Sequence, residues 1–171
     1  MRPVPADFAF ETDRLSVAVL GDPARPGLIR QAGAILTPQA TAFLPPALRV
    51  APGGPDAAAW LRRAARDATV LTVHEIGGGL AGFVLLHDGG AGEIMFGYLL
   101  AERLWGRGLG TELLAGLVSA LRAAGCTAVL IGGVDPMNAA SMRILRKTGF
   151  RRRFDRGPDR SFFFELDLAG P

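Results

Sequence analysis

Trp105-Gly106-Arg107-Gly108-Leu109-Gly110-Thr111 stands between an apolar run, Phe96-Gly97-Tyr98-Leu99-Leu100, and a stretch with helical periodicity. Glycines let the backbone turn sharply and approach a ligand closely. The helix that opens near Thr111 aims its unpaired N–H groups, and the positive end of its dipole, at whatever the turn holds. An anion is the expected guest. Two other phosphate cradles fit poorly. A dinucleotide fingerprint needs Gly-x-Gly-x-x-Gly, but the sixth position from Gly106 is Thr111, and a P-loop needs a lysine that this loop lacks. A tight strand-to-helix connection with no ligand is the plain alternative.

Downstream, Leu113, Leu114, Leu117, Val118 and Leu121 form one helical stripe, and Gly125 is placed to end it. Ala128 to Val134 reads as a short buried strand, Asp135-Pro136 breaks it, and Ala139 to Lys147 reads as a second helix stopped by Gly149. Phe150 to Phe154 and Ser161 to Leu168 read as strands around a Gly157-Pro158-Asp159 turn. Upstream, Ala68 to Ile76, Leu80 to His87 and Glu93 to Leu100 read as antiparallel strands, the first two joined by Gly77-Gly78-Gly79. Asp56 is a natural N-cap for a helix whose Trp60 is expected to pack inward. Phe8 to Leu20 reads as one first strand. The proline-punctuated segment from Gly21 to Pro55 carries short helical stretches at Arg25 to Gly33 and Thr37 to Phe43, and suits a lid-like or acceptor-facing role.

The chain of 171 residues suits one domain, able to bury about two-thirds of its unfolded surface. The single Cys126 can form no internal disulfide and is expected as a small buried residue, and no Cys/His cluster has zinc-ligand spacing. No metal is expected. Net charge is +3, and Lys147 is the sole lysine, so the positive charge is nearly all arginine. Arg151-Arg152-Arg153 reads as a solvated strand face in preference to a nucleic-acid patch. No basic leader precedes an apolar run, and no apolar stretch approaches the ~18 residues of a membrane span, which points to a cytoplasmic protein with neither nucleic acid nor membrane as partner.

Together, the strand Phe96 to Leu100, the loop Trp105 to Glu112, Asp135-Pro136-Met137-Asn138-Ala139-Ala140-Ser141 and Lys147-Thr148-Gly149-Phe150 resemble the GNAT superfamily of acetyl-CoA-dependent N-acetyltransferases. Glu11-Thr12-Asp13-Arg14-Leu15 and the Trp-Gly-Arg-Gly form of the loop place the resemblance nearest the ribosomal-protein-alanine acetyltransferase-like branch. It is strong from about Gly82 to Phe150 and absent from Gly21 to Pro55. It implies an α/β (α+β) fold with a mixed, mostly antiparallel, splayed sheet flanked by helices. It further implies a single domain, with residues 1–92 mainly on the acceptor side and 93–171 mainly on the acetyl-CoA side. The implied reaction is direct acetyl transfer from acetyl-CoA, as co-substrate, to a primary amine in a ternary complex without metal. The acceptor would be a peptide or protein N-terminus or a small-molecule amine, and a homodimer is compatible with the resemblance.

By that resemblance, Arg107, Gly108, Leu109, Gly110 and Thr111 offer backbone N–H groups to the coenzyme pyrophosphate. The Arg103 and Arg107 side chains either meet the nucleotide end or stay ordinary exposed arginines. Leu99 and Leu100 bring backbone groups beside the acetyl group, where one N–H polarises the thioester carbonyl, while their side chains can still face the core. Asn138 contacts the pantetheine arm or caps its helix. The tyrosine that many relatives carry seven residues after this asparagine is Leu145 here. Ser141, three residues after it, is instead expected to hydrogen-bond the coenzyme sulfur and help expel the thiolate, or else to be a packing serine. A primary amine arrives protonated, with a pKa of about 8 or 10, and must lose that proton before attacking. The family's strand glutamate is Met95 in this chain, and Glu93, two positions earlier on the same strand face, is the leading base. His74, Glu75, His87 and Asp88 lie near the ends of neighbouring strands and could act directly or through water. The missing tyrosine and displaced glutamate keep open a non-catalytic acyl-CoA-binding or regulatory module. A nucleic-acid module built on the Arg151 cluster has no aromatic stacking motif to support it.

Overall fold

A computed structural model describes residues 3–54, 56–156 and 161–170. The first strand expected over Phe8 to Leu20 is in fact a hairpin, β1 (Ala9–Glu11) and β2 (Leu15–Val19). Thr12 makes the break: its Oγ1 accepts the Leu15 N–H at 3.0 Å and its own N–H donates to the Leu15 carbonyl at 2.8 Å. Such local side-chain bonds compete with continued extension. The proline-rich segment folds as α1 (Pro26–Ile35), α2 (Pro38–Thr41) and a 3₁₀ turn, Pro46–Leu48. In α3 (Ala57–Asp67) the Asp56 side chain accepts the Ala59 N–H at 2.8 Å. Trp60 is buried, and its indole N–H reaches the Leu48 carbonyl at 2.9 Å, tying α3 to the 3₁₀ turn.

Next come β3 (Thr69–Glu75), β4 (Leu80–Gly90), β5 (Glu93–Leu100), α4 (Leu109–Ala123), β6 (Val129–Val134), α5 (Ala139–Lys147), β7 (Arg151–Arg156) and β8 (Phe162–Asp167). The turn expected at Gly157-Pro158-Asp159 lies outside the described residues. Gly125, with φ 74°, ends α4 in the left-handed conformation, and Cys126 just beyond is half-buried where a buried residue was expected. The strands form one sheet in the order β1-β2-β3-β4-β5-β6-β8-β7, antiparallel throughout except between β5 and β6. No helix among the described residues is long and apolar enough to cross a membrane.

Cross-strand partners share a face of the sheet. Phe83, Leu85 and His87 of β4 pair with Leu99, Gly97 and Met95 of β5, and Trp60 of α3 packs on this face with its ring 5.2 Å from that of Phe83. Val84, Phe96 and Tyr98 occupy the opposite face, against Leu113, Leu114 and Leu117 of α4. The stripe read from the sequence is therefore the surface that α4 buries, each leucine contributing about 1.5–3 kcal/mol.

The parallel pair is short. β5 and β6 are in register only from Glu93 opposite Val129 to Phe96 opposite Gly132. Beyond that point β5 continues along β4, while β6 continues to Val134 along β8. The two strands part and leave a V-shaped gap that passes through the sheet.

Close backbone approach constrains β4 where it pairs with the parted end of β5. A Cβ on Gly82 would stand 2.1 Å from the Leu99 carbonyl oxygen, so only glycine fits there. Gly82→Ala is expected to cost ~2 kcal/mol through overpacking and to lower the melting temperature by roughly 4–8 °C, read by thermal unfolding. An unchanged melting temperature would show that the contact carries no constraint.

Candidate active site

A cavity of about 600 Å³ occupies the gap, a size suited to a small-molecule site. Gly106, Gly108, Leu109, Gly110 and Thr111 line one end of it. Gly106 (φ 72°) and Gly108 (φ 79°) adopt the left-handed backbone that glycine accepts at no steric cost. Gly108 is also the N-cap of α4, so no side chain caps this helix. The N–H groups of Leu109, Gly110 and Thr111 are left for a ligand at the positive end of the dipole. Gly110 serves packing too, since a Cβ there would come within 2.7 Å of Ile144 Cδ1 on α5.

An ionic clamp holds this loop to the first hairpin. Glu112, in the first turn of α4, accepts hydrogen bonds from Thr12 Oγ1 at 2.6 Å, Arg14 N–H at 2.9 Å and Arg14 Nε at 2.7 Å, and pairs with Arg14 Nη2 at 2.5 Å. Arg14 Nη1 also donates to the Arg107 carbonyl at 3.1 Å, inside the loop itself. Burial by itself would raise the Glu112 pKa, but the bonds from Thr12 and Arg14 outweigh it and hold the carboxyl below its ordinary value.

Two backbone hydrogen bonds, one at either end of β5, set which backbone groups face the gap. Val129 donates to the Gly92 carbonyl at 2.9 Å, and Ala101 donates to the Ala81 carbonyl at 2.8 Å. Successive residues of a strand present their N–H and C=O to alternate edges. Even-numbered residues of β5 therefore face β6, and past the parting Tyr98 and Leu100 present their backbone to the gap. The Leu100 carbonyl is already taken by the Trp105 indole N–H at 2.8 Å. Across the gap, at the start of α5, Ser141 Oγ accepts a hydrogen bond from the Tyr98 hydroxyl at 3.3 Å. Burial raises the Tyr98 pKa, with the Ser141 bond opposing only in part, so the phenol stays protonated.

A family model described as an acetyltransferase (GNAT) domain matches residues 34–151, more than half of the chain. The chain belongs to the GNAT acetyltransferases. Solved structures agree on the fold. A GNAT-family acetyltransferase from Bacillus anthracis is 15% identical, with 95% of this chain and 99% of that one covered and a TM-score of 0.73. A Vibrio cholerae protein assigned as a ribosomal-protein-serine acetyltransferase is 18% identical over 98% and 99% of the two chains, with a TM-score of 0.64. A Salmonella typhimurium protein assigned as an acetyltransferase, solved with its cofactor acetyl-CoA, is 21% identical over 92% and 95%, with a TM-score of 0.58. No curated protein matches the sequence.

The GNAT site expected from the sequence is assembled only in part. Gly108, Leu109, Gly110, Thr111, Leu99, Leu100, Asn138 and Ser141 all line the cavity. Leu99, however, turns its backbone toward β4, so the gap-facing amides belong to Tyr98 and Leu100. Asn138 caps α5, its Oδ1 accepting the Ser141 N–H at 3.0 Å, which leaves the side-chain NH₂ as the group for a ligand. Arg103 is drawn away from the cavity wall, to Glu75 at 2.5 Å and the Leu80 carbonyl at 3.3 Å. Arg107 is exposed, and its carbonyl is fixed by Arg14.

Glu93 lies six residues from Leu99, roughly 20 Å along the strand, and outside the cavity wall. It is paired with Arg153 at 3.0 Å, and Arg153 also meets Glu165 at 3.4 Å, so this part of the arginine run serves strand-face ion pairs. His87 does line the cavity, whereas His74, Glu75 and Asp88 do not. The sequence reading missed Tyr98, the sole tyrosine, by looking for a phenol on the helix after Asn138. It also missed Arg143 and Lys147, cavity-lining cations four residues apart on α5.

The clamp has a defined pH signature. Because the folded pKa of Glu112 is lowered, its contribution to stability is fully present above the unfolded value of about 4.3 and is lost as pH falls through the folded value. Glu112→Gln is expected to melt lower than the parent at neutral pH, by roughly 4–8 °C for the loss of ~2 kcal/mol of charge-assisted bonding. That difference should close in melts run below the ordinary glutamate range. A gap independent of pH would show that the charge is not what holds the loop.

Proposed function

We propose that this GNAT domain transfers an acetyl group from acetyl-CoA to a primary amine by direct attack in a ternary complex assembled through the gap between β5 and β6. One observation carries the reading: a single cavity joins the α4 cradle to the wall formed around α2, passing the parted edge of β5 on the way. The Salmonella protein solved with acetyl-CoA supports the donor's identity. On this reading residues before 93 serve mainly the acceptor and those after it mainly the donor.

The cradle amides of Leu109, Gly110 and Thr111 hold the pyrophosphate, with Arg143 and Lys147 adding positive charge along α5. The backbone of Tyr98 and Leu100 takes the place of a missing strand partner for the pantetheine amides, and one of these N–H groups meets the developing oxyanion. Asn138 donates from its side-chain amide. Acetyl-CoA supplies the activated acyl group.

Ser141 donates to the coenzyme sulfur. Tyr98 fills one acceptor site of the Ser141 oxygen, which leaves the serine proton to point into the cavity. The Tyr98 proton is committed to the Ser141 oxygen, so the tyrosine acts by orienting the serine.

His87 takes the base role that the sequence assigned to Glu93. Its Nδ1 lies 2.9 Å from the Asp67 carbonyl, at the C-terminal end of α3. A carbonyl can only accept, so Nδ1 carries a proton and the lone pair of the neutral ring is on Nε2. His87 stands two residues along β4 from Leu85, the partner of Gly97, roughly 7 Å along the strand, so on this reading it takes the amine proton through water.

Ser141→Ala is expected to lower kcat about 10²-fold at unchanged acetyl-CoA affinity. Tyr98→Phe should lower kcat in the same direction, and the double variant should be no slower than Ser141→Ala, because the tyrosine acts through the serine. Full turnover by Ser141→Ala, followed as thiol release, would remove its role. His87→Gln is expected to lower kcat by about 10²-fold, with the loss confined to the amine-dependent reaction. Undiminished turnover by that variant would return the base to another residue.

A further inference from the structure

The acceptor end of the cavity is chemically lopsided. On the face of the sheet away from α4, its wall is built from Phe43, Leu44, Leu48, Leu85, Met95 and Leu99. The polar side chains at this end are Gln39 and His87. Asp135 is the only carboxylate among the described residues that line the cavity, and it stands at the end of β6 with its Oδ1 accepting the Met137 N–H at 2.8 Å. Arg143 and Lys147 put further positive charge on the α5 side.

We infer that the acceptor is a monoamine carried on an apolar or aromatic body, either free or as the first residue of a peptide. The inference rests on reading the cavity as the acetyl-transfer site. A polyamine or an aminoglycoside would bring two or more ammonium groups against an apolar wall without a carboxylate for each, and buried charges need partners. A monoamine has one charge, and attack requires that charge to be lost. Its body then gains by leaving water for the leucine, methionine and phenylalanine surface.

Gly97 makes the room. It is the first residue of β5 past the last pair with β6 and faces the acceptor side, between Met95 and Leu99 and opposite Leu85. A Cβ there would meet nothing within 4 Å, and its backbone is outside the left-handed region. Conformation therefore does not demand glycine at this place. The missing side chain instead leaves an open floor at the point where the strands part. Phe43 supplies the matching lid surface: it lines the cavity yet is 48% exposed, apolar area that a flat body would cover.

The test is thiol release from acetyl-CoA with 2-phenylethylamine, a short peptide beginning with phenylalanine, methylamine, spermidine and kanamycin as acceptors. The expected result is a kcat/KM for the better phenyl-bearing acceptor at least about tenfold above both polycations, and the free amine and peptide arms tell the two sources apart. Gly97→Val should raise KM for that acceptor, relative to methylamine, by about tenfold or more. Phe43→Ala, at an exposed position that folding tolerates, should raise it in the same sense and decides the matter if the valine variant does not fold.

Equal or better use of spermidine or kanamycin, or a KM ratio that neither variant moves, overturns the inference and leaves acetyl transfer standing. Acetyl-CoA binding with no turnover of any amine overturns both.

Discussion

Every backbone N–H and C=O taken out of water needs a partner, and β5 meets that demand on both edges only as far as Phe96. Past it, β4 serves one edge while β6 has already turned toward β8. The gap-facing edge at Tyr98 and Leu100 is thus a strand edge that lines a cavity inside the molecule. The rest of the site is arranged around that deficit. The glycine cradle lies where α4 leaves the end of β5, the α5 N-terminus faces it across the gap, and the α2 segment closes the other mouth. A sheet that stayed paired to its end would have no passage between its faces.

The cradle is made of glycine backbone, which has little rigidity of its own, and its shape is imposed from outside. Thr12 and Arg14 reach across nearly a hundred residues of sequence to Glu112, and Arg14 also holds the Arg107 carbonyl. A motif in the first hairpin thereby governs the geometry of the glycine turn that opens α4. Arg14 is half-exposed, so its worth lies more in fixing the loop than in raw Coulomb energy, which solvent and salt reduce.

Local signals were the legible ones. Helix α4, its glycine entry, the Asp56 cap and the three central strands all follow from periodicity and from residues within one turn of each other. What escaped depends on neighbours distant in sequence. Side-chain alternation tells which face of a sheet Leu99 occupies, but not which edge its amide faces. That is set by two hydrogen bonds, at Gly92 and Ala101. Glu93 has the right parity and the wrong position along β5, and its attachment to Arg153 is a contact across 60 residues. Tyr98 and Ser141 are 43 apart and are joined only by the way α5 returns over the gap. The break at Thr12 is local, yet a threonine in an alternating run is ordinary strand composition until its hydroxyl is seen on the Leu15 amide.

The bond from the Trp105 indole to the Leu100 carbonyl gives the molecule an optical property. The chain has two tryptophans, Trp60 buried beneath the sheet and Trp105 half in water at the cavity wall. Indole emission follows the polarity and mobility of its surroundings, so the two residues emit as a constant background and a variable reporter. A ligand seated against the cavity wall meets the second indole, while the first lies outside that wall. Occupancy of the site is thereby written into the protein's intrinsic fluorescence, without a label.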